Sequence, residues 1–323
     1  MNYRKLGRTN LEVSEIGYGA WGIGGKQWLG ASDQTALKAL HLAVHRGINF
    51  FDTALAYNDG HSERLLAKVL EDAPQPVYIA TKVPPKNEIW PAQPGSSIED
   101  VFPYDHIMQS TEKSLIHLRR EQLDLQQLHV WNPEWIGRDE WKRAFEDLKK
   151  SGKVRFVGVS INDHQPDSAL EIINSGLIDT VQVIYNVFDQ TPERKLFPLC
   201  REKNIGVIAR VPFDEGGLTG RITEDTKFPE GDFRAGYFKG DRKQQVAQRV
   251  EAMCDELGVR TESLPALALR FCLTEPAVST VIPGMRSISS VDANSTVPGQ
   301  GPLPLHVMEI LRRHAWDRNF YND

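Results

Sequence analysis

Short runs rich in valine and isoleucine alternate with longer segments of helical period along almost the whole chain. A strand followed each time by a helix must return to a parallel neighbour, so the alternation points to β/α units. The runs lie near residues 15–19, 48–54, 77–83, 123–130, 154–161, 180–186, 205–212 and 278–283. Between them, Asp33 to Arg46 places Ala36, Leu37, Leu40, Ala43 and Val44 on one face, and His61 to Glu71 does the same with Leu65, Leu66, Val69 and Leu70. Eight such units predict an α/β fold, an eight-stranded parallel (β/α) TIM barrel. The opening YRKLGRTNLEVSEI, with a turn at Gly7-Arg8-Thr9-Asn10, reads as an N-terminal hairpin that plugs the bottom of the barrel. Arg242 to Leu257 and Leu305 to Trp316 read as extra C-terminal helices outside the ring. No break in composition marks a second domain, so residues 1–323 are expected to form a single barrel domain. The longest irregular stretch, Pro212 to Gly240, follows the seventh strand and has the length of a functional lid.

Charge and cysteine usage narrow the function classes. A net charge of −5 gives no electrostatic case for nucleic acid or an anionic membrane surface. MNYRKLGRTN carries basic residues without the apolar core of a signal peptide, and no stretch approaches the ~20 apolar residues of a membrane span, so a cytoplasmic protein is expected. Cys200, Cys254 and Cys272 are widely spaced and form no C-x-x-C, which argues against a disulfide framework and a zinc site and for buried apolar fillers.

Near the start, GYGAWG puts Gly17, Gly19 and Gly22 at the spacing of a dinucleotide-binding fingerprint. That fingerprint needs a helix opening at its last glycine, where backbone amides meet a pyrophosphate. The chain instead runs on as Gly22-Ile23-Gly24-Gly25, which is not a helix start, so the stretch reads as a loop after the first strand.

In a β/α barrel the C-terminal strand ends share one rim. Three successive strands end there in ionisable groups: INFF runs into Asp52, VYIAT into Lys82, and LDLQQL into His129. The loop after Asp52 adds Tyr57. Taken singly, Asp52 could cap a turn, Lys82 could mark a wet strand end, His129 could be a satisfied core histidine and Tyr57 could be loop packing; their coincidence on one rim is what carries weight. A lysine beside a tyrosine favours the phenolate and is expected to lower the phenol from its usual pKa of ~10, with Asp52 keeping the lysine charged. A neighbouring imidazole can hydrogen-bond a carbonyl oxygen. This set suits protonation of an oxygen while a hydride attacks its carbon, which implies a nicotinamide cofactor; no metal cluster is in view.

At this point the sequence strongly resembles the aldo-keto reductase family over nearly its whole length. The resemblance rests on FDTA with Tyr57, Thr81-Lys82, Leu128-His129, Gly158-Val159-Ser160, Gln182 in VQVIYN, GGLTGR at Gly216 to Arg221, and VIPGMRS at Val281 to Ser287. It implies a barrel enzyme that reduces a small aldehyde or ketone with NADPH, and a catalytic tetrad of Asp52, Tyr57, Lys82 and His129. It implies that Ser160, Asn162 and Gln182 hold the nicotinamide carboxamide. The loop from Pro212 through Leu218 and Gly220 would cover the pyrophosphate, and Gly284 and Arg286 would grip the 2′-phosphate, with Ser287, Ser290 and Asn294 as further contacts. GYGAWG then matches the family's first strand and loop, with Trp21 facing substrate. Trp28, Trp90 and Trp131 are further candidates for the pocket wall, whose flat faces suit sugar rings or apolar aldehydes.

Two positions depart from the family pattern. Arg210 stands where many members carry an aromatic residue against the nicotinamide, and could stack there or bind an anionic substrate group. Ala293, beside Asn294, stands where an acidic residue often lies near the adenine. Other functions remain open: a Schiff-base aldolase using Lys82 leaves Ser160, Gln182 and Arg286 unexplained, whereas a cofactor-sensing regulatory subunit, like the channel-associated β subunits that share the fold and tetrad, would have the same residues. Relatives that reduce steroid double bonds replace the tetrad histidine, and His129 is present.

Overall fold

The computed structural model describes residues 1–30 and 32–317. Strands β1 (Tyr3–Lys5) and β2 (Glu12–Ser14) pair antiparallel, joined by a single helical turn at Gly7–Thr9. The apolar residues of this hairpin, Leu6, Leu11 and Val13, pack under the barrel against Phe50, Ala80, Leu125, Ile208 and Ile282, forming the expected plug.

Eight parallel strands follow: β3 (Tyr18–Gly19), β4 (Phe50–Asp52), β5 (Tyr78–Val83), β6 (Leu123–Leu128), β7 (Val154–Ser160), β8 (Thr180–Ile184), β9 (Gly206–Arg210) and β10 (Val278–Val281). Each pairs with the next in chain order, and bridges from Ile16 to Val281 and from Gly19 to Gly284 join first to last. The eight runs of the sequence are therefore the eight barrel strands. Gly19 closes the seam: a Cβ there would lie 2.6 Å from the Ile282 carbonyl oxygen, so a side chain would push β3 off the β10 edge.

Helices cover the barrel wall. α1 (Asp33–His45) starts at Ser32, whose hydroxyl accepts from the Thr35 amide, and buries Ala36, Ala39, Leu40, Ala43 and Val44. It is followed by α2 (His61–Leu70), the short α3 (Ile98–Val101), α4 (Tyr104–Leu118), α5 (Glu140–Lys150), α6 (Leu170–Ser175) and α7 (Leu196–Lys203). The stretch after β9, expected to be irregular, contains a tight turn over Asp214–Thr219 and the five-residue α8 (Phe233–Tyr237). Then come α9 (Arg242–Leu257), α10 (Leu264–Thr274), α11 (Ile288–Ser295) and α12 (Leu305–Arg313), the last ending three residues short of the expected Trp316. The three cysteines are buried and unbridged, and no helix among the described residues is long and apolar enough to cross a membrane.

Register places the rim. Asp52 lies beside Ala80, Lys82 beside Gln127, and Ser160 beside Gln182, so the C-terminal ends of β4 to β8 present their last residues at one level. Above them opens a cleft of ≈ 1400 Å³.

Candidate active site

The top layer of the barrel interior is polar. Lys82, fully buried, donates from Nζ to Asp52 Oδ1 at 2.6 Å and to the Thr53 carbonyl at 2.7 Å, and lies 3.4 Å from the Tyr57 hydroxyl. The other Asp52 oxygen accepts from Gln182 Nε2 at 2.7 Å and Gln127 Nε2 at 3.5 Å. One carboxylate on β4 thus binds side chains of three further strands, β5, β6 and β8, and aims the ammonium. Tyr57 is brought over Lys82 by the turn that follows β4; its amide donates to the Ala54 carbonyl at 3.0 Å. His129, just beyond β6, faces the Tyr57 ring with centroids 5.7 Å apart at 72°.

Burial governs the protonation states. Desolvation is the largest single effect and would lower the Lys82 ammonium, but the Asp52 carboxylate and the Tyr57 oxygen together outweigh it and leave the lysine above its ordinary value. Burial raises the Tyr57 phenol, and the opposing pull of Lys82 does not cancel it. Lys82 does pull the phenol down as expected, but burial outweighs it and the net direction is up, so before anything reacts Tyr57 holds its proton. Tyr57 is only half-buried, so water in the cleft weakens that burial effect. Burial, then Lys82 and Arg210, hold His129 well below the usual histidine range, so its ring is neutral. Its Nδ1 is buried without a partner among the described residues, which favours the proton on Nε2, because a buried N–H without an acceptor is the costlier orphan.

The cleft is also lined by Ser160, Asn162, Gln182, Arg210, Pro212, Gly284, Arg286, Ser287, Ser290 and Asn294, ten of the twelve residues expected to meet cofactor. Gln182 has committed its Nε2 to Asp52, which leaves Oε1 as its acceptor. The Asn162 amide is engaged with the Ala92 backbone, accepting at 3.1 Å and donating at 3.1 Å, so it fastens the loop after β5. The Arg210 guanidinium donates to Asp163 Oδ1 at 2.7 Å and the Ile161 carbonyl at 2.9 Å. Arg286 donates to the Leu29 carbonyl at 2.8 Å. Ser290 completes a capping box with Ser287 at the start of α11.

The model of the Aldo/keto reductase family matches residues 15–315. The chain belongs to the aldo-keto reductase family. It is 28% identical over 321 residues to the "Uncharacterized oxidoreductase YqkF" of Bacillus subtilis, covering 98% of this chain and 97% of that one. With the NADH-specific methylglyoxal reductase of Escherichia coli it shares 29% over 305 residues, 90% of this chain and 91% of the relative. Among solved structures, the holo form of aldo-keto reductase AKR11C1 from Bacillus halodurans superposes with a TM-score of 0.76 at 29% identity, covering 98% of this chain and 97% of that one.

In this aldo-keto reductase some expected contacts lie elsewhere. Trp131 does not face the cleft: it is fully buried and packs edge-on against Trp135 and Trp141, at 6.0 and 5.3 Å between centroids. It belongs to the packing behind β6, and its assignment to substrate is corrected. Leu218 is buried in the core and Gly220 abuts Thr261; from the same loop Gly216, Thr219 and Arg221 line the cleft instead. Trp21, Trp28 and Trp90 do line it; Trp21 stands 6.3 Å from the Tyr57 ring and Trp90 5.9 Å from His129, centroid to centroid. Sequence reading passed over Gln127. The signal was there: in LDLQQL a buried strand carries two adjacent glutamines, of which Gln126 turns outward to Thr111 and Gln127 inward to Asp52. Phe233 and Arg234, on α8, also line the cleft and were not foreseen.

Proposed function

We propose that this oxidoreductase reduces an aldehyde or ketone to an alcohol with NADPH, and that Tyr57 delivers the proton. The observation that carries this reading is the buried chain Asp52–Lys82–Tyr57, with links of 2.6 and 3.4 Å, which ends at the cleft beside a neutral His129.

The donor set fits a nicotinamide dinucleotide. The Ser160 hydroxyl has no partner among the described residues, Gln182 keeps an acceptor oxygen, and a Cβ at Gly216 or Gly284 would meet nothing within 4 Å, so backbone is open to a ligand at both glycines. Ser160 and Gln182 would hold the carboxamide, with Asn162 shaping the wall beside them. Pro212 and Gly216 would lie along the pyrophosphate, and Arg286, Ser290 and Asn294 at the adenosine 2′-phosphate, where a guanidinium suits a dianion. When bound there, the dinucleotide supplies the hydride that reduces the carbonyl carbon.

The residues of the chain handle the oxygen. The carbonyl oxygen accepts from the Tyr57 hydroxyl and from His129 Nε2, which orients it. As negative charge grows on that oxygen, Tyr57 gives up its proton, and the phenolate left behind faces the Lys82 ammonium at 3.4 Å. Asp52 keeps that ammonium charged while it is buried. Trp21 and Trp90 offer flat walls to the remainder of the substrate, suited to an apolar aldehyde or a sugar. The pairing of Arg210 with Asp163 makes it a fixed part of the wall rather than a spare cation for an anionic substrate.

The test is NADPH consumption by purified protein with a reactive aromatic aldehyde, read from the near-ultraviolet absorbance of the cofactor. Unmodified protein should consume NADPH and Tyr57→Phe should not, while both bind NADPH equally. Tight NADPH binding without turnover of any aldehyde in a broad panel would refute the reading and favour a cofactor-sensing role.

A further inference from the structure

The cofactor end of the cleft is built partly by a loop far from it in sequence. Trp28, in the loop after β3, has the Arg286 guanidinium 5.2 Å from its ring centroid and the Arg234 guanidinium 4.6 Å from the same centroid. Arg234 lies in turn 5.1 Å from the Phe228 ring and is gripped by both oxygens of Asp232, each at 2.8 Å. Four side chains, Phe228, Arg234 on α8, Trp28 and Arg286, are thus linked in one run of ring–guanidinium contacts. The Trp28 indole N–H has no hydrogen-bond partner among the described residues, so packing and cation–π contact hold the ring. The same loop touches Arg286 at two more points: its guanidinium donates to the Leu29 carbonyl, and its stem lies against Gly22. A Cβ at Gly22 would fall 2.7 Å from Arg286 Cδ and 2.9 Å from Cγ. The loop is itself pinned to α8 and the turn before it, where the Phe233 amide donates to the Gln27 carbonyl at 2.8 Å and the Leu29 amide to Asp232 Oδ2 at 3.2 Å. Gly22, Trp28, Arg234 and Arg286 all line the cleft.

We propose that the loop after β3 sets this enzyme's discrimination between NADPH and NADH, with Trp28 and Gly22 as positioning residues that hold Arg286 where the 2′-phosphate of a bound dinucleotide falls. The inference rests on the reading that NADPH occupies the cleft with its 2′-phosphate at Arg286. An arginine side chain on a loop surface samples many rotamers, and each bound phosphate must first select one of them. Here Trp28 stacks one end of Arg286, the Leu29 carbonyl takes one of its N–H groups, and Gly22 leaves a slot only as wide as its stem. The guanidinium is therefore largely arranged before the ligand arrives. NADH lacks the phosphate and gains nothing from this arrangement, so the loop acts on the ratio of the two affinities. The last glycine of GYGAWG then has a role unlike that of a dinucleotide fingerprint: it makes room for an arginine from the other end of the chain.

The experiment is equilibrium binding of NADPH and of NADH to the full-length protein by titration calorimetry, for the unmodified chain and for Arg286→Ala, Trp28→Ala, Trp28→Phe and Gly22→Ala. Arg286→Ala tests the underlying reading and should weaken NADPH while leaving NADH within about twofold. Trp28→Ala should weaken NADPH roughly three- to tenfold, the range of one partly exposed cation–π contact and the ordering it provides, with NADH again nearly unchanged. Trp28→Phe keeps a ring and should recover most of the loss, and Gly22→Ala should lower the NADPH-to-NADH ratio without touching the ring. If Arg286→Ala is selective but neither Trp28→Ala nor Gly22→Ala alters the ratio, the proposal is overturned and the reading stands. An Arg286→Ala variant whose ratio is unchanged removes the reading and the proposal together. Should Trp28→Ala fail to fold, Trp28→Phe and Gly22→Ala still decide it.

Discussion

Replacing Lys82 by Met removes the cation under Tyr57 while keeping a chain of similar length. Nζ lies 3.4 Å from the phenol oxygen. At an effective dielectric of about 20, a full phenolate at that distance is stabilised by about 5 kcal/mol, and with roughly half a charge developed at the transition state the share is about 2 kcal/mol. The chemical step should slow by about 30-fold or more, since 1.36 kcal/mol is a factor of ten. The abandoned Asp52 carboxylate then repels the growing phenolate, which pushes the loss upward. Lys82 does not line the cleft, so cofactor affinity should hold. The assay is single turnover: protein pre-loaded with NADPH is mixed with aldehyde and the cofactor signal followed, which separates chemistry from binding and release. Because the substitution leaves a buried carboxylate without its cation, it should also cost about 3–5 kcal/mol of stability. The double variant Asp52→Asn with Lys82→Met should regain much of that stability and none of the rate. A single-turnover rate for Lys82→Met within threefold of the unmodified protein, in a folded sample that binds NADPH, would refute the electrostatic reasoning.

Three further outcomes follow from the same geometry. Since His129 is held well below its ordinary value, the unfolded chain takes up a proton at this position below about pH 6.5 while the folded one does not, so stability falls as pH drops through that point. His129→Gln should lose less on acidification in a denaturant titration; equal losses would mean the ring is not desolvated. Trp131→Ala should destabilise the fold by about 3–5 kcal/mol through the cavity it leaves, with KM for an aldehyde unchanged once folded. Trp21→Ala should do the reverse, raising KM with little effect on melting, and a shift in KM for Trp131→Ala comparable to that for Trp21→Ala would restore Trp131 to the substrate wall.

The barrel was legible because strand burial writes itself as apolar runs, and eight of them in alternation with amphipathic helices leave few other topologies. Asp52, Lys82 and His129 were legible because each closes an apolar run at the C-terminal end of a strand, and Tyr57 because it follows in the loop after Asp52. Trp131 was misread since an aromatic residue just past a strand end can turn either way; the nearby Trp135 and Trp141, the latter on the buried face of α5, draw it inward. The direction of the Tyr57 shift depends on how deeply a loop tyrosine sinks beside its lysine, and spacing along the chain does not encode depth. Pairs such as Trp28 with Arg234 or Arg286 were out of reach for a related reason: the partners lie more than 200 positions apart in sequence, and only closure of the barrel brings them together.

In the proposed reaction Tyr57, backed by Lys82 and Asp52, protonates a carbonyl oxygen as hydride arrives from NADPH. Its most direct test is the single-turnover decay of NADPH in unmodified protein and in Tyr57→Phe, each pre-loaded with cofactor and mixed with the same aromatic aldehyde. The unmodified protein should yield stoichiometric alcohol and Tyr57→Phe none, at equal NADPH occupancy. Alcohol formed at comparable rates by both would contradict it.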